Sequence, residues 1–303
     1  MKILLFGKNG QIARRLQSEL LTLGEIIVYG SADLDFRDNE ELRTCIKMHK
    51  PDIIVNASAY TAVDKAESDS SDVFAINTKA VKIIAEEASL INAWLIHYST
   101  EYVFDGSKDS PYTESDIPNP LSIYGKSKLE ADNYIQSICQ KYIILRTSWV
   151  YDSYGKNFAK TILALAQKNE SLKIVNDQIG APTNASLIAK VTSFILYKIK
   201  INSSLPAEQF SSIYNLSATG EASWYEFAKL LIKQAHESGG KFICLPENII
   251  PISSEDYKSA AKRPINSRLD NSKIINKFNL VLPKWKVYIS FLLEELKMTK
   301  FFI

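Results

Sequence analysis

A tyrosine and a lysine four residues apart, Tyr124 and Lys128, are the pair in this chain most suited to catalysis. On a helix, residues i and i+4 lie on one face, so both side chains can point into one site. A lysine charge beside a phenol favours the phenolate and would lower the tyrosine pKa towards the working pH. Such a tyrosine can donate its proton to a carbonyl oxygen while a hydride reaches the carbonyl carbon. The pair therefore predicts a ketone reductase.

The same spacing occurs again at Tyr225 and Lys229, and the flanking residues distinguish the two pairs. A hydroxyl-rich strand end, residues 98–102, precedes the first pair, and a helix-like run follows it. The second pair has no strand end before it. We therefore predict that the first pair is catalytic and that the second lies on an ordinary core or surface helix.

The beginning of the chain has the pattern of a dinucleotide-binding turn. The apolar run 2–6 leads directly into Gly7 and Gly10, and a helical apolar pattern begins at Ile12. In such a unit a parallel strand delivers a pyrophosphate to the N-terminus of a helix. Gly7 would form the tight turn, and Gly10 would let backbone N–H groups approach the phosphates because it has no Cβ. Ala13 stands where a third small residue lets the helix pack closely on the strand.

The end of the second predicted strand, residues 26–29, leads into Gly30 and Ser31 and presents no acidic residue. A carboxylate at this place binds the ribose of NAD and disfavours the 2′-phosphate of NADP. Its absence predicts that NADPH is used at least as well as NADH. Asp33 and Asp35 follow closely and are equally compatible with plain turn residues.

Composition and charge limit the class of protein. The chain has 303 residues, of which 46% are hydrophobic and 23% charged, which indicates a soluble globular protein with one large domain and a smaller lobe. A net charge of +2 without a concentrated basic tract gives no support to a nucleic acid or membrane partner. The first predicted strand begins at residue 2, which leaves no room for a signal peptide. The three cysteines, Cys45, Cys139 and Cys244, are odd in number and scattered, which favours a location in the reducing cytoplasm. They form no group with the histidines at the spacing of a zinc site.

Continuous apolar strands separated by helices predict an α/β fold, a Rossmann-type doubly wound parallel sheet with a smaller, discontinuous C-terminal substrate-binding lobe. The predicted strands are 2–7, 26–29, 53–57, 94–98, 142–147, 172–175 and 213–216. The predicted helices are 11–23, 39–48, 70–90, 124–139, 156–168, 185–199, 223–237 and 285–297. We assign residues 1–150, with the strands near 172–175 and 213–216, to the dinucleotide-binding domain. The remaining segments of 151–303 form the lobe.

Two further segments predict contacts with a substrate. Residues 105–120 contain three prolines and read as a long loop over the mouth of the site. Arg263 lies in a basic segment of the lobe, and arginine makes bidentate contacts with phosphate, so it is a candidate for binding a substrate diphosphate. A surface charge cluster is the alternative.

Eight segments taken together resemble the dTDP-4-dehydrorhamnose reductases, a family of extended short-chain dehydrogenase/reductases. The resemblance is collinear and covers essentially the whole chain. The segments that carry it are 5–11, 55–57, 61–67, 97–100, 124–130, 146–151, 176–183 and 263–269.

The resemblance implies reduction of the C4 ketone of dTDP-4-dehydro-β-L-rhamnose with NADPH or NADH, the last step of dTDP-L-rhamnose synthesis. It implies that Thr100 hydrogen-bonds the C4 oxygen, that Tyr124 protonates it, and that Lys128 holds the nicotinamide ribose. Trp149 would pack against the sugar nucleotide. The implied cofactor contacts are Gly10, Gln11 and Ile12 at the pyrophosphate, Asp35 and Phe36 at the adenine, and Ala59, Tyr60 and Thr61 along the cofactor.

The sequence departs from the family pattern at two positions near the site. Glu101 stands where the family usually has aspartate, so a substrate-contacting carboxylate is one methylene longer. Gly30 replaces the family's acidic residue at the end of the second strand, and this replacement predicts that the enzyme has no strict preference for NADH.

A third departure concerns metal and assembly. Some family members form a dimer around magnesium held by three carboxylates, and the matching positions here are Arg15, Ser186 and Glu294. Magnesium requires hard oxygen ligands, so the guanidinium predicts no metal there. If a homodimer forms at this surface, Arg15 would pair with Glu294 in a weak, salt-sensitive contact. A monomer with both side chains solvated is the alternative.

Two other functions are compatible with the sequence. Another NDP-4-keto-sugar reductase or an epimerase can use the same tyrosine–lysine pair. A non-catalytic regulatory subunit, like the beta subunit of methionine adenosyltransferase, belongs to a different class. The presence of Thr100, Tyr124 and Lys128 gives no sign of lost catalysis.

Overall fold

Six parallel strands form the central sheet of the computed structural model, which describes residues 1–299 and 301. Residues 300, 302 and 303, which end the predicted lobe, lie outside the described residues. The strands of the sheet are β1 (Lys2–Phe6), β2 (Glu25–Tyr29), β3 (Ile53–Asn56), β4 (Trp94–Thr100), β5 (Tyr142–Thr147) and β10 (Ser212–Asn215). Their spatial order is β2, β1, β3, β4, β5, β10, which confirms the doubly wound fold. The order reverses between β1 and β3, where such sheets form a ligand crevice at the carboxyl ends of the strands.

Helices cover both faces of the sheet, which explains why its strands are apolar on both sides. The helices are α1 (Gln11–Glu19), α2 (Asn39–His49), α3 (Val63–Ala66), α4 (Ser70–Phe74), α5 (Ala80–Leu90), α6 (Ile123–Ile138), α7 (Phe158–Ala166), α8 (Ala185–Ile201), α9 (Trp224–Glu237), α10 (Ser272–Phe278) and α11 (Val287–Met298). In β1, Ile3 and Leu5 pack in the cluster that includes α1 and α8. Leu4 and Phe6 pack in the cluster that includes α2, α5 and α6. Alternate side chains of a strand point to opposite faces, so one strand supplies both cores.

The prediction that residues 172–175 join the main sheet is wrong. They form β7 (Leu172–Val175), which pairs in parallel with β12 (Ile249–Ile252) in a separate two-stranded sheet. The sequence correctly identified a buried strand, but apolar residues alone do not select its partner. The predicted strand 213–216 does join the main sheet, as the edge strand β10.

Two more strand pairs lie among the later segments: β6 (Val150–Tyr151) with β9 (Thr183–Asn184), and β8 (Ile179–Gly180) with β11 (Ala222–Ser223). These pairs, with β7 and β12, support the assignment of a separate lobe. That division of the chain stays a prediction.

The predicted helix 70–90 contains an interruption. A π-helical turn, Ala75–Lys79, separates α4 from α5 and carries the buried residue Asn77. Such turns often accompany functional sites because they redirect one side chain within a continuous helix. Among the described residues, no helix is long and apolar enough to span a membrane.

Candidate active site

The three predicted catalytic residues come from two neighbouring elements at the carboxyl edge of the sheet. Thr100 ends β4, while Tyr124 and Lys128 lie on consecutive turns of α6. The hydroxyl of Ser122 accepts a hydrogen bond from the Gly125 backbone N–H at 3.1 Å and thereby caps α6. A Cβ on Gly125 would lie 2.3 Å from the Tyr102 carbonyl oxygen, so only glycine lets α6 approach the turn after β4 this closely.

Thr100 and Glu101 form a buried hydrogen-bonded pair beside the catalytic tyrosine. The Thr100 hydroxyl donates to Glu101 Oε2 at 2.8 Å, and it also lies within hydrogen-bonding reach of the Tyr124 phenol. Burial raises the pKa of Glu101 to about 7, although hydrogen bonds from Thr100 and the Trp149 backbone N–H oppose the rise. This carboxyl group can therefore exist in either protonation state near neutral pH.

The expectation that Lys128 lowers the pKa of Tyr124 is wrong for the protein without cofactor. Burial raises the pKa of Tyr124, and the negative charge of Glu101 raises it further. The Lys128 amine instead lies 3.0 Å from His97 Nε2 on β4, and burial lowers its own pKa to about 8. The neutral phenol is thus the resting form, which suits a proton donor.

The turn after β1 has the geometry that a dinucleotide pyrophosphate requires. Gly7 has φ +98°, and a Cβ there would lie 2.5 Å from the Ala57 carbonyl oxygen. Gly10 is the N-cap of α1 and supplies no capping side chain, and the first turn carries no acidic residue. The N–H groups at this helix end are therefore directed at the crevice and suit an anion. These features fit the pyrophosphate of NADPH or NADH.

The other residues of the turn are held by the rest of the protein. Gln11 Oε1 accepts a hydrogen bond at 2.9 Å from the side-chain amide of Asn157, the N-cap residue of α7. Ile12 packs against the core cluster beside α1. The side chains of both residues are thus held by contacts within the protein.

The end of β2 does present a carboxylate, contrary to prediction. Asp33 folds back so that its Oδ2 accepts a hydrogen bond from the Gly30 backbone N–H at 3.0 Å. The same oxygen lies 3.2 Å from Lys8 Nζ, and both contacts lower the pKa of Asp33. From the sequence, Asp33 is equally compatible with a plain turn residue, because three residues separate it from the end of β2. Only the folded turn brings its side chain back to the end of β2.

The predicted adenine contacts divide into one exposed and one buried side chain. Asp35 is exposed and forms an ion pair with Arg37 at 2.9 Å. Phe36 is buried and packs edge-on against Phe6, with ring centroids 5.4 Å apart. The Phe36 ring therefore belongs to the core, and its predicted contact with the adenine through the side chain is not supported.

The segment Ala59–Tyr60–Thr61 follows β3 and is fixed by the π-helical turn. Asn77 accepts a hydrogen bond from the Tyr60 backbone N–H at 2.7 Å and donates to its carbonyl at 3.1 Å. The same amide donates to Ser127 on α6 at 3.1 Å. Asn77 thus connects the predicted cofactor loop to the catalytic helix, a role that the sequence did not reveal.

Trp149 lies in a tight slot and has a strained backbone. Its φ is +48°, which is rare for a bulky residue. Its ring stacks on Trp224 with centroids 3.5 Å apart, and a Cβ on Gly180 would lie 2.6 Å from it. Trp149 is only 8% exposed, so little of its side chain is open to a ligand.

Arg263 contacts Tyr102, which is a neighbour of the catalytic tyrosine. Its Nη2 donates to Asp64 at 2.7 Å, and its guanidinium lies beside Tyr102, whose ring packs edge-on against Tyr124. The Nη1 nitrogen is buried without a hydrogen-bond partner among the described residues. An unpartnered guanidinium N–H near the catalytic tyrosine suits a phosphate or sugar oxygen.

Arg15 has partners within its own chain, so the alternative of a monomer with both side chains solvated is wrong for Arg15, while its pairing with Glu294 across a dimer stays a prediction. Arg15 makes a two-bond contact with the buried carboxylate of Asp152, at 2.8 and 3.0 Å, and it also contacts Glu295 within the same chain. Glu294 is exposed. No group of three metal-binding side chains occurs among residues 1–299 and 301.

The sequence reasoning missed several residues of the site, among them Asn56, Asn77, His97 and Tyr102. His97 and Tyr102 lie within three residues of Thr100, so a signal was present in that strand end. The roles of Asn56 and Asn77 depend on contacts between elements that are far apart in the sequence.

Comparison with known proteins places the whole chain in one family. Residues 1–298 match the family model described as the RmlD substrate binding domain. The chain is 43% identical over 300 residues to the dTDP-4-dehydrorhamnose reductase of Escherichia coli (strain K12), which covers 98% of each protein.

Solved structures agree with this match. The dTDP-4-dehydrorhamnose reductase of Bacillus anthracis str. Ames, solved in complex with NADP, superimposes with a TM-score of 0.86 at 31% identity over 97% of this chain and 99% of that one. The ortholog from Clostridium acetobutylicum has a TM-score of 0.88 at 32% identity, over 98% of this chain and 100% of that one. This chain therefore belongs to the RmlD family of dTDP-4-dehydrorhamnose reductases.

Proposed function

We propose that this chain reduces the C4 ketone of dTDP-4-dehydro-β-L-rhamnose to give dTDP-L-rhamnose, using NADPH or NADH. The observation that supports the proposal is the placement of Thr100 at the end of β4 and of Tyr124 and Lys128 on α6, at the carboxyl edge of the parallel sheet that also carries the nucleotide turn. Whole-chain similarity to reductases of that name supports the choice of substrate.

The cofactor and the protein side chains have separate roles in reducing the ketone. The bound nicotinamide supplies the hydride, and the neutral phenol of Tyr124 supplies the proton to the C4 oxygen. Thr100 has one hydroxyl proton, which it donates to Glu101 in the structure. When Glu101 is protonated, it can donate to Thr100 instead, and the Thr100 proton is then available to the C4 oxygen. Protonated Glu101 therefore favours a two-donor site for the developing alkoxide.

Cofactor choice rests on Lys8 and Asp33. The Asp33 carboxylate can accept a hydrogen bond from a ribose 2′-hydroxyl, as in NADH. Lys8, which pairs with Asp33, can neutralise the 2′-phosphate of NADPH. The use of NADPH at least as well as NADH stays a prediction, and Lys8 now provides its physical basis. The possible homodimer also stays a prediction.

The function is tested by a panel of 4-keto-sugar nucleotides with NADPH and with NADH, with products identified by NMR. Conversion of dTDP-4-dehydro-β-L-rhamnose with stoichiometric cofactor oxidation is expected. Tightly co-purified NAD with no net oxidation would indicate an epimerase. Absence of turnover on every substrate would leave the regulatory-subunit alternative.

The catalytic assignment is tested by Tyr124→Phe, which removes the proton donor and leaves the cofactor crevice. Loss of a general acid typically reduces the rate by ~10²–10⁴-fold. NADPH affinity, measured by fluorescence titration, should remain within a few-fold. The matched control is Tyr225→Phe, since Lys229 Nζ lies 3.1 Å from that hydroxyl on an exposed face of α9. Comparable losses in the two variants would contradict the assignment.

A further inference from the structure

A buried hydrogen-bonded chain leads from the end of β3 to the catalytic lysine. The amide Nδ2 of Asn56 lies 3.2 Å from His97 Nδ1, and Lys128 Nζ lies 3.0 Å from His97 Nε2. The three side chains belong to β3, β4 and α6, and none is more than 1% exposed. The positions of their protons therefore depend on the contacts among the three side chains, because none of them is appreciably exposed.

The contacts of Asn56 decide which of its side-chain atoms faces the histidine. Asn56 Oδ1 accepts from the Ser58 backbone N–H at 3.1 Å and from the Ser58 hydroxyl at 2.6 Å. A backbone N–H can only donate, so Oδ1 must remain on that side. The Nδ2 group, which also can only donate, therefore faces His97 Nδ1.

The orientation of Asn56 fixes the proton of His97 in turn. Because Nδ1 accepts from Asn56, a neutral imidazole carries its proton on Nε2. That Nε2–H points at Lys128 Nζ, and a charged ammonium has no lone pair to accept it. A neutral amine does have one. The contact at 3.0 Å is therefore satisfied by the uncharged form of Lys128 and opposed by the charged form.

We propose that His97 is a positioning residue that Asn56 locks as the Nε2–H tautomer, so that at mildly alkaline pH Lys128 is a neutral amine in the free enzyme and takes up a proton when NADPH binds. The proton comes from solvent and adds to the amine nitrogen, which converts –NH₂ to –NH₃⁺. Negative phosphates and ribose oxygens near the amine favour the charged form. This inference rests on the proposed function only in placing the cofactor beside Lys128.

The electrostatic surroundings agree with this assignment. Burial lowers the pKa of Lys128 to about 8 and that of His97 well below its ordinary value. Asp132 is the opposing charge, but Arg146 on β5 pairs with it at 3.2 Å. The charged and titratable groups around the lysine are His97 on β4, Tyr124 and Asp132 on α6, Arg146 on β5 and Glu101 in the turn after β4.

Nitrogen-15 NMR of the imidazole rings tests the tautomer directly in the cofactor-free protein. The chain has only three histidines, so the spectrum of a His97→Gln variant assigns the His97 signals. We expect a neutral Nε2–H imidazole from pH 7 to pH 9. A neutral Nδ1–H tautomer or an imidazolium in that range would overturn the proposal.

Calorimetry of NADPH binding near pH 8.5, in two buffers with different heats of ionisation, tests the proton uptake. The wild type should take up protons on binding, to a maximum of about one proton per NADPH bound. Asn56→Asp keeps both acceptor contacts to Ser58, but its carboxylate can only accept from His97 and therefore favours the Nδ1–H tautomer. The Nε2 atom of that tautomer has a free lone pair and accepts from the Lys128 ammonium. This variant should bind NADPH with little or no proton uptake.

His97→Gln separates the tautomer from burial alone. The amide of glutamine can turn its oxygen towards Lys128, so its uptake should also fall. Wild-type uptake in both variants would show that burial, and not His97, controls the lysine. Absence of uptake in the wild type would overturn the proposal. Neither experiment uses the sugar nucleotide, so a failed substrate panel with a positive result here would count only against the proposed substrate.

Discussion

Replacement of Glu101 by glutamine tests both the energetics and the chemistry of the site. Glutamine has nearly the same shape, cannot ionise, and can donate an N–H to the Thr100 hydroxyl as the protonated acid would. The variant therefore reproduces the neutral form of Glu101 at every pH. Glu101→Asp is the matched control because it keeps an ionisable carboxyl group.

The magnitude follows from the burial of the carboxyl group. The interval between the ordinary carboxyl pKa of 4.5 and the raised pKa of about 7 corresponds to about 3 kcal/mol. Because the folded pKa is the higher one, the favourable contribution is complete below pH 4.5 and is lost as the pH rises through 7. Above pH 7 the wild type carries the full cost of a buried charge. Glu101→Gln should therefore be more stable than the wild type at pH 8 by up to about 3 kcal/mol, with little difference near pH 4.5.

Two assays follow from this difference. Urea denaturation at a series of pH values gives the free energy of unfolding of both proteins. The pH profile of kcat gives the second readout, since ionised Glu101 withdraws the Thr100 proton and raises the pKa of Tyr124. The wild-type rate should fall above pH 7, and Glu101→Gln should lack that fall. Equal stability at pH 8, together with an unchanged pH profile, would refute the reasoning.

Three further predictions concern Asp33, Arg15 and Gly180. Asp33→Asn removes the charge near the ribose and frees Lys8, so kcat/KM for NADPH relative to NADH should rise several-fold. An unchanged ratio would exclude this carboxylate from cofactor choice. Arg15→Met leaves the buried Asp152 carboxylate unpaired and should reduce the free energy of unfolding by about 3 kcal/mol. In the wild type, treatment with EDTA should leave the activity unchanged. Stoichiometric magnesium in the purified protein would contradict the second part. Gly180→Ala should displace the Trp149 indole and raise KM for the sugar nucleotide but not for NADPH. Equal increases in the two KM values would argue against a substrate-binding role for Trp149.

The sequence by itself determined the parts of the site that depend on local geometry. The strand–glycine–helix unit at Gly7 and Gly10 follows from the pattern of a few consecutive residues. The shared face of Tyr124 and Lys128 follows from helical periodicity. The parallel doubly wound sheet follows from the alternation of apolar strands and helices, because such strands must be covered on both faces.

Tertiary structure alone decided which side chains meet. Residues 172–175 were correctly read as a strand, but strand pairing depends on the path of the whole chain, and they joined β12. The partners of Arg15, Asp152 and Glu295, lie far away in the sequence, so only the fold could show that this guanidinium is paired within its own chain.

The electrostatics of the site also depend on the fold. A Tyr–Lys spacing predicts a charged lysine beside a phenol, but burial and His97 place the Lys128 amine in an environment that disfavours its charge. The Asp33 carboxylate reaches the end of β2 only because the turn folds back on Gly30. Charge, burial and hydrogen-bond direction are properties of the three-dimensional neighbourhood, and residues distant in sequence supply most of that neighbourhood.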